Sequence, residues 1–269
     1  VGMKMKNKDG TYYTLTQPLF QTKVEFVPRK LQDFENLLSA FYDTAKNRFV
    51  EDLPEQMMDF EMPPPVVSDE LFLVEMCLYD HHFGKPGIDE TWTLTTATAH
   101  WWMAVKKFLR WANTVNYNTV VLPTGNDIFH IDNKNRTTTA GTQMDAMATY
   151  QRVFGHTMGV VVQTINYLKS IGKKVIVPMV DGNHDRNSVI ALGQALAVMY
   201  AGDDMVEIIN TPDGRIYYPW GQNVLGWMHS DECKPERVAQ VMNADMRTKG
   251  VEFIGKSHFF ISVGHLHKT

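Results

Sequence analysis

Residues Lys173 to Arg186 read KKVIVPMVDGNHDR. The first eight residues are rich in Val and Ile and bounded by polar groups, the pattern of a strand buried on both faces. The tail Gly182-Asn183-His184-Asp185-Arg186 suits neither strand nor helix interior. A glycine, an amide, an imidazole and a carboxylate therefore stand where a buried strand ends. That is the position at which open α/β sheets place their ligand-binding loops.

The same arrangement recurs four more times. LFLVEMCLY (71–79) runs into DHHFGK, and NTVVLP (118–123) runs into TGNDIFH. NVLGWM (223–228) runs into HSDE, and FFISV (259–263) runs into GHLH. Between these strands the apolar spacing predicts helices over 91–115, 141–172, 188–202 and 235–246. Gly172 is placed to cap the second. MVEIIN (205–210) and RIYYPWG (215–221) add short strands, and with NVLGWM they predict an antiparallel portion. Strands alternating with helices make the class α/β, with a largely parallel sheet covered on both sides.

Asp80, His82, Asp127, Asn183, His184, His229, His265 and His267 would thus meet at one sheet edge. Carboxylates, imidazoles and an amide without thiolates suit Mn²⁺, Fe or Zn²⁺ and argue against a structural zinc finger. There are too many donors for one ion, so two divalent ions are expected, with Mn²⁺ the first choice. Two ions about 3.5–4 Å apart can clamp both oxygens of a phosphoryl displacement. Gly125, Gly182 and Gly264 fit turns that bring the backbone close to such a site. Each histidine alone could be an ordinary loop residue; the five clusters in register carry the inference.

The order D-x-H, G-N-D, G-N-H-D, lone His, G-H-x-H resembles the calcineurin-like metallophosphoesterases over about residues 70 to 267. The resemblance implies a two-sheet αββα sandwich with mixed, largely parallel sheets. It implies Asp80, His82 and His267 at a first metal, Asp127 bridging, and Asn183, His229 and His265 at a second. His184 would protonate the leaving oxygen and Asp185 would orient it. The family usually has G-D or G-G-D at the second motif, where this chain has Gly125-Asn126-Asp127. The run Asp127-Ile128-Phe129-His130 resembles the SbcD-type DNA nucleases, and more loosely phage exonuclease-like proteins. On that likeness His130 would help seat the substrate strand; the alternative is a solvent-facing loop residue.

The resemblance implies a metal-dependent phosphodiesterase, first of all a DNA nuclease of exonuclease type, in which a metal-bound hydroxide attacks phosphorus. DNA would be the substrate, and a homodimer or an ATPase partner is the family's kind of assembly. The alternatives are a small-molecule phosphodiesterase or phosphatase, and a non-catalytic metal-binding scaffold. The polar run NKNRTTTAGT (133–142) looks mobile, with Lys134 and Arg136 available for phosphates.

The bulk numbers are consistent with this. The chain has 269 residues and a net charge of −4, so any polyanion site must be local. Two cysteines cannot form a disulfide framework. No run is long enough to span a bilayer and no signal peptide is evident, which sets the expectation of a cytoplasmic protein. Residues 1–65 read as a separate small α+β segment of no legible chemistry, with a helix over 30–49 and an acidic, proline-closed linker over 51–70. Residues 66–269 read as the metallophosphoesterase domain. The last motif ends two residues before Thr269, as it would in a piece of a longer chain.

In HWWMAVKKFLRW (100–111) basic and aromatic residues interleave, which could serve nucleic-acid stacking. Helical spacing instead assigns Trp101, Val105, Phe108 and Leu109 to the core, with Lys106, Lys107 and Arg110 in water.

Overall fold

The computed structural model describes residues 2–6, 12–16, 57, 60–87, 91–231, 233–249 and 255–265. The chain forms two compact units, Val1–Thr44 and Ala45–Thr269. In the first, strands β1 (Gly2–Lys6) and β2 (Tyr12–Thr16) pair antiparallel. The helix expected over 30–49 lies outside the described residues.

The second unit is α/β. Its larger sheet contains β3 (Phe72–Glu75), β4 (Tyr117–Val121), β5 (Thr124–Gly125), β6 (Lys174–Val180) and β7 (Val206–Ile209), and every pairing is parallel. β4 and β5 keep one register along β6 (Val121 opposite Ile176, Thr124 opposite Met179). They are one strand interrupted at Leu122 and Pro123, where proline has no N–H for the ladder. The smaller sheet is mixed. β8 (Arg215–Trp220) is antiparallel to β9 (Asn223–Met228), and β10 (His258–Val263) is parallel to β9. MVEIIN was expected to join an antiparallel trio. It instead extends the large sheet as β7, because its run follows a helix and returns parallel to β6.

Helix α1 (Leu94–Ala112) begins at a capping box: the Thr96 amide donates to Oγ1 of Thr93 at 3.2 Å, and the Thr93 amide donates to Oγ1 of Thr96 at 2.6 Å. Its Trp101, Val105 and Leu109 are buried at helical spacing, as expected, while Phe108 is half-buried and Lys107 and Arg110 are exposed. Helix α2 (Tyr150–Ser170) starts later than position 141, because Thr149 caps it. Gly172 follows its end at φ 78°, the left-handed conformation that favours glycine. Helix α3 (Arg186–Met199) leads from β6 to β7, and a 3₁₀ turn (Pro235–Arg237) precedes α4 (Val238–Lys249).

Alternation along the strands sets the layers. Val120, Val175, Val177 and Met179 pack with Trp101, Val105, Ile165 and Leu192 of the helices. Val121, Ile176 and Val180 point the other way and meet Ile216 and Trp227 of the smaller sheet. Val224, on the outer face of that sheet, packs with Met242 of α4. Two packed sheets therefore carry helices on their outer faces. Each large apolar side chain so buried contributes about 1.5–3 kcal/mol, and Trp101→Ala would cost roughly 3–5 kcal/mol.

Part of the acidic stretch is not a free linker. Met57 is buried in this core and Phe60 and Met62 pack against it, so the apolar residues there behave as core. The contact boundary accordingly falls at Thr44, earlier than residue 65. Among the described residues no helix is long and apolar enough to cross a membrane.

Candidate metal centre

All five polar clusters follow the carboxyl ends of strands of the two sheets, and backbone hydrogen bonds lock their loops together. The amides of Asp80 and His82 donate to the carbonyls of Asn126 and Asp127 at 3.0 Å each. The Asn126 amide donates to Val180 O, and the Gly264 amide donates to Met228 O at 3.4 Å. Strand pairing thus continues past the strands into the site. The backbone there is bent for aim. Asp80, His82, Asn126, Asp127, Ser230 and His265 all have φ between 51° and 79°. Among the described residues only Arg136 shares that conformation without glycine. Each such residue costs on the order of 1–3 kcal/mol, so their clustering marks a site held by its surroundings.

Three groups of donors result. Asp80, His82 and Asp127 offer one atom each within 4.8 Å of one another, as do Asp127, His229 and His265. The third group is His82, His130 and His184. Asn183 joins the second, its Oδ1 lying 2.9 Å from Nε2 of His229. The His265 amide donates to both oxygens of Asp80 at 3.1 and 3.2 Å, which ties the groups together. His267 lies outside the described residues.

Whether a cation fits can be judged at His229. Its Nδ1 bonds Oδ1 of Asn126, whose Nδ2 donates to the Met228 carbonyl at 3.5 Å. The carbonyl can only accept, so the amide orientation is set and Nδ1 of His229 must carry a proton. In the neutral ring Nε2 is then bare, yet it faces Asp127 Oδ2 at 3.1 Å and Asn183 Oδ1 at 2.9 Å. Three acceptors converging in a buried place repel unless a proton or cation lies between them. A divalent ion resolves this, so the donor set fits a metal.

The electrostatics favour neutral rings at His82 and His130 and an ionised Asp127. Burial pushes His82 down to about 3. Burial, then the His184 charge, pushes His130 down to about 4. At Asp127 burial pushes the carboxyl up, but the His229 contact and the His184 amide outweigh it and hold it below its usual value. That amide donates to Asp127 Oδ1 at 2.9 Å.

His130 is not a solvent-facing loop residue. It is buried, lies nearly parallel to His184 with ring centroids 5.4 Å apart, and its Nδ1 has no hydrogen-bond partner. Asp185 does not orient the His184 ring. The contact to Nδ1 of His184 comes from the His130 carbonyl at 2.9 Å. Asp185 is fully buried and its two oxygens accept the amides of Phe129 and Gly182 at 3.0 and 2.9 Å. Burial, then the charge of Asp127, raises its carboxyl well above the usual range. It staples two loops rather than a ring.

Gly182 is required for close approach rather than for a turn. A Cβ there would stand 2.1 Å from Asp127 Oδ1. Gly264 likewise admits the Asn126 side chain, which a Cβ would meet at 2.2 Å.

Sequence reasoning gave no role to two positioning residues. Asn126, marked there only as a departure from the usual second motif, is one. Asp132 is the other: Oδ1 accepts the Ser188 amide at 2.8 Å and Oδ2 accepts the Asn187 amide at 3.2 Å. The residue preceding α3, Asp185, caps nothing with its side chain, so Asp132 satisfies these helix N-terminal donors from a distant loop. Thr139 donates to Asp132 at 2.8 Å and accepts the Arg186 amide at 3.1 Å. The 133–142 run expected to be mobile is therefore pinned over the helix start through Thr139. Arg186, the last residue of the cluster after β6, pairs with Asp181 at 2.6 Å.

No protein-family model matches the chain, and no curated protein or solved structure matches it significantly.

Proposed function

We propose that this chain is a two-metal-dependent phosphodiesterase of the calcineurin-like metallophosphoesterase type, acting on DNA as an exonuclease-like nuclease. The carrying observation is that Asp127 belongs to two donor groups at once, Asp80/His82 on one side and His229/His265 on the other. One carboxylate shared between two cation positions is the arrangement that phosphoryl displacement needs. The two packed sheets with outer helices, and the motif order, support the same family.

When bound, two divalent ions supply a nucleophile acidified at neutral pH and neutralise charge on the phosphate oxygens. The chain's own residues do the rest. Asp127, His229 and Asn183 hold the position against which the phosphate is placed. His184 is anchored through Nδ1 to the His130 carbonyl, which leaves Nε2 to carry a proton to the departing oxygen. His130, buried beside it, shapes the wall on which a substrate strand is seated.

The test is a Mn²⁺-supplemented assay on end-labelled single- and double-stranded DNA, with Asp127→Ala as control. Bis(p-nitrophenyl) phosphate and p-nitrophenyl phosphate are run beside it. Cleavage of DNA and of the diester, lost in the control, is expected. Turnover of the monoester alone would sink the nuclease assignment. No turnover and no bound metal would leave a non-catalytic scaffold.

A further inference from the structure

A cavity of about 300 Å³ opens beside His229, between the loop after β6, the start of β8, the loop after β9 and helix α4. Asp181, Arg186, Arg215, Ser230, Cys233 and Val241 line it. His229 forms part of its wall. A phosphate placed over Asp127 and His229 would therefore project one ester substituent into this space.

The chemistry of the lining says what that substituent is. Arg186 pairs with Asp181 at 2.6 Å and lies 3.9 Å from Asp231. Arg215 makes a two-pronged pair with Asp245 at 2.6 and 3.1 Å. Both guanidiniums are charge-neutralised, so the cavity has no electrostatic preference for a second phosphate. It retains planar guanidinium faces, carboxylate acceptors and the apolar surface of Met228 and Val241. Planar, neutral groups with donor and acceptor edges are what such walls recognise, by stacking on guanidinium and edge hydrogen bonds. The volume is at the small end for ligand pockets, enough for one nucleoside and not two.

We propose that this cavity is a nucleoside subsite: it takes the base and sugar of the nucleotide next to the phosphate under attack. The subsite rests on the phosphodiesterase assignment and adds to it the place where the nucleotide's base and sugar are held. It is what would make the centre prefer nucleotidyl esters to arbitrary diesters.

The experiment compares thymidine 5′-(p-nitrophenyl phosphate), thymidine 3′-(p-nitrophenyl phosphate) and bis(p-nitrophenyl) phosphate on the full chain with Mn²⁺. At least one nucleoside ester is expected to show kcat/KM tenfold or more above the bis-aryl ester. Val241→Trp, which fills the cavity from α4, is expected to cut that preference about tenfold. In parallel, thymidine 5′-monophosphate is tested for protection of Cys233 against iodoacetamide, read by peptide mass. Protection of threefold or more is expected in the wild-type chain and none in Val241→Trp. Alkylated wild-type protein repeats the kinetic comparison in a chain already folded, should the variant fail to fold. A wild-type preference that is absent, or that neither cavity-filling change moves, overturns the subsite, as does lack of protection. Protection without turnover of any of the three esters upholds the subsite and overturns the hydrolase assignment instead.

Discussion

Asn126 and His229, 103 residues apart in sequence, are joined by a hydrogen bond between the amide oxygen of one and ring Nδ1 of the other. The bond crosses from the large sheet to the small one. It fixes the His229 tautomer, and Nε2 is thereby committed to the side where Asp127 and Asn183 lie. Removing it should free the ring. Asn126→Ala is expected to weaken metal binding at the Asp127/His229/His265 group by roughly 10–100-fold, the usual effect of losing a partner behind a metal-bound histidine. Calorimetric titration with Mn²⁺ or Zn²⁺ measures it; an unaltered isotherm would show that the bond is incidental.

Gly182→Ala should be more severe than its size suggests. The new methyl carbon would fall 2.1 Å from Asp127 Oδ1, and the Asp127 amide 2.7 Å away leaves no retreat. Bound metal per chain, by elemental analysis, should drop, and diester hydrolysis should drop at least a hundredfold. Retained far-UV circular dichroism would separate this from unfolding. Full metal content in a folded variant would contradict the close approach.

His184→Ala is expected to keep its metal and lose about 10²–10⁴-fold in kcat, the range of one general acid. The His184 amide, which contacts Asp127, is backbone and survives the substitution. Wild-type rates with equal metal content would remove His184 from the reaction.

Asp132→Ala strips acceptors from the buried Ser188 amide and from the amide of exposed Asn187. An unsatisfied buried donor costs about 1–3 kcal/mol, and water can reach the Asn187 amide, so a fall of roughly 1–3 kcal/mol in unfolding free energy is expected in denaturant titration. Faster hydrogen exchange should be confined at first to the start of α3. Uniform exchange throughout the chain would point to a global cause.

His81 gives a pH dependence of stability. Burial pushes it from its ordinary 6.5 down to about 4, with Nε2 3.1 Å from the Ala97 carbonyl. Between those values the unfolded chain binds a proton that the folded chain refuses. Its contribution to stability is thus complete above pH 6.5 and declines as pH falls toward 4. His81→Gln, which can still donate to Ala97, should flatten the acid limb of the stability curve between pH 6.5 and 4. An acid limb parallel to the wild type's would mean that His81 is already charged in the fold.

Much of this protein was legible in one dimension. Val and Ile runs bounded by Gly, Asn and Asp placed the strands, because a strand buried on both faces must be apolar throughout. Clusters at their ends named Asp80, His82, Asp127, Asn183, His184, His229 and His265, because parallel strands send all their carboxyl ends to one edge. Tertiary structure decided what depends on partners distant in sequence. It assigned β7 to the large sheet, since register is a property of the neighbour as much as of the strand. Asp132, not a local residue, satisfies the bare amides of α3. Asp185 became a backbone staple, because the His130 carbonyl had already occupied the ring nitrogen of His184. Asn126 set the tautomer of His229. Periodicity and turn chemistry are local and can be read from the chain. Which acceptor meets which donor is settled only when loops more than a hundred residues apart are packed against each other.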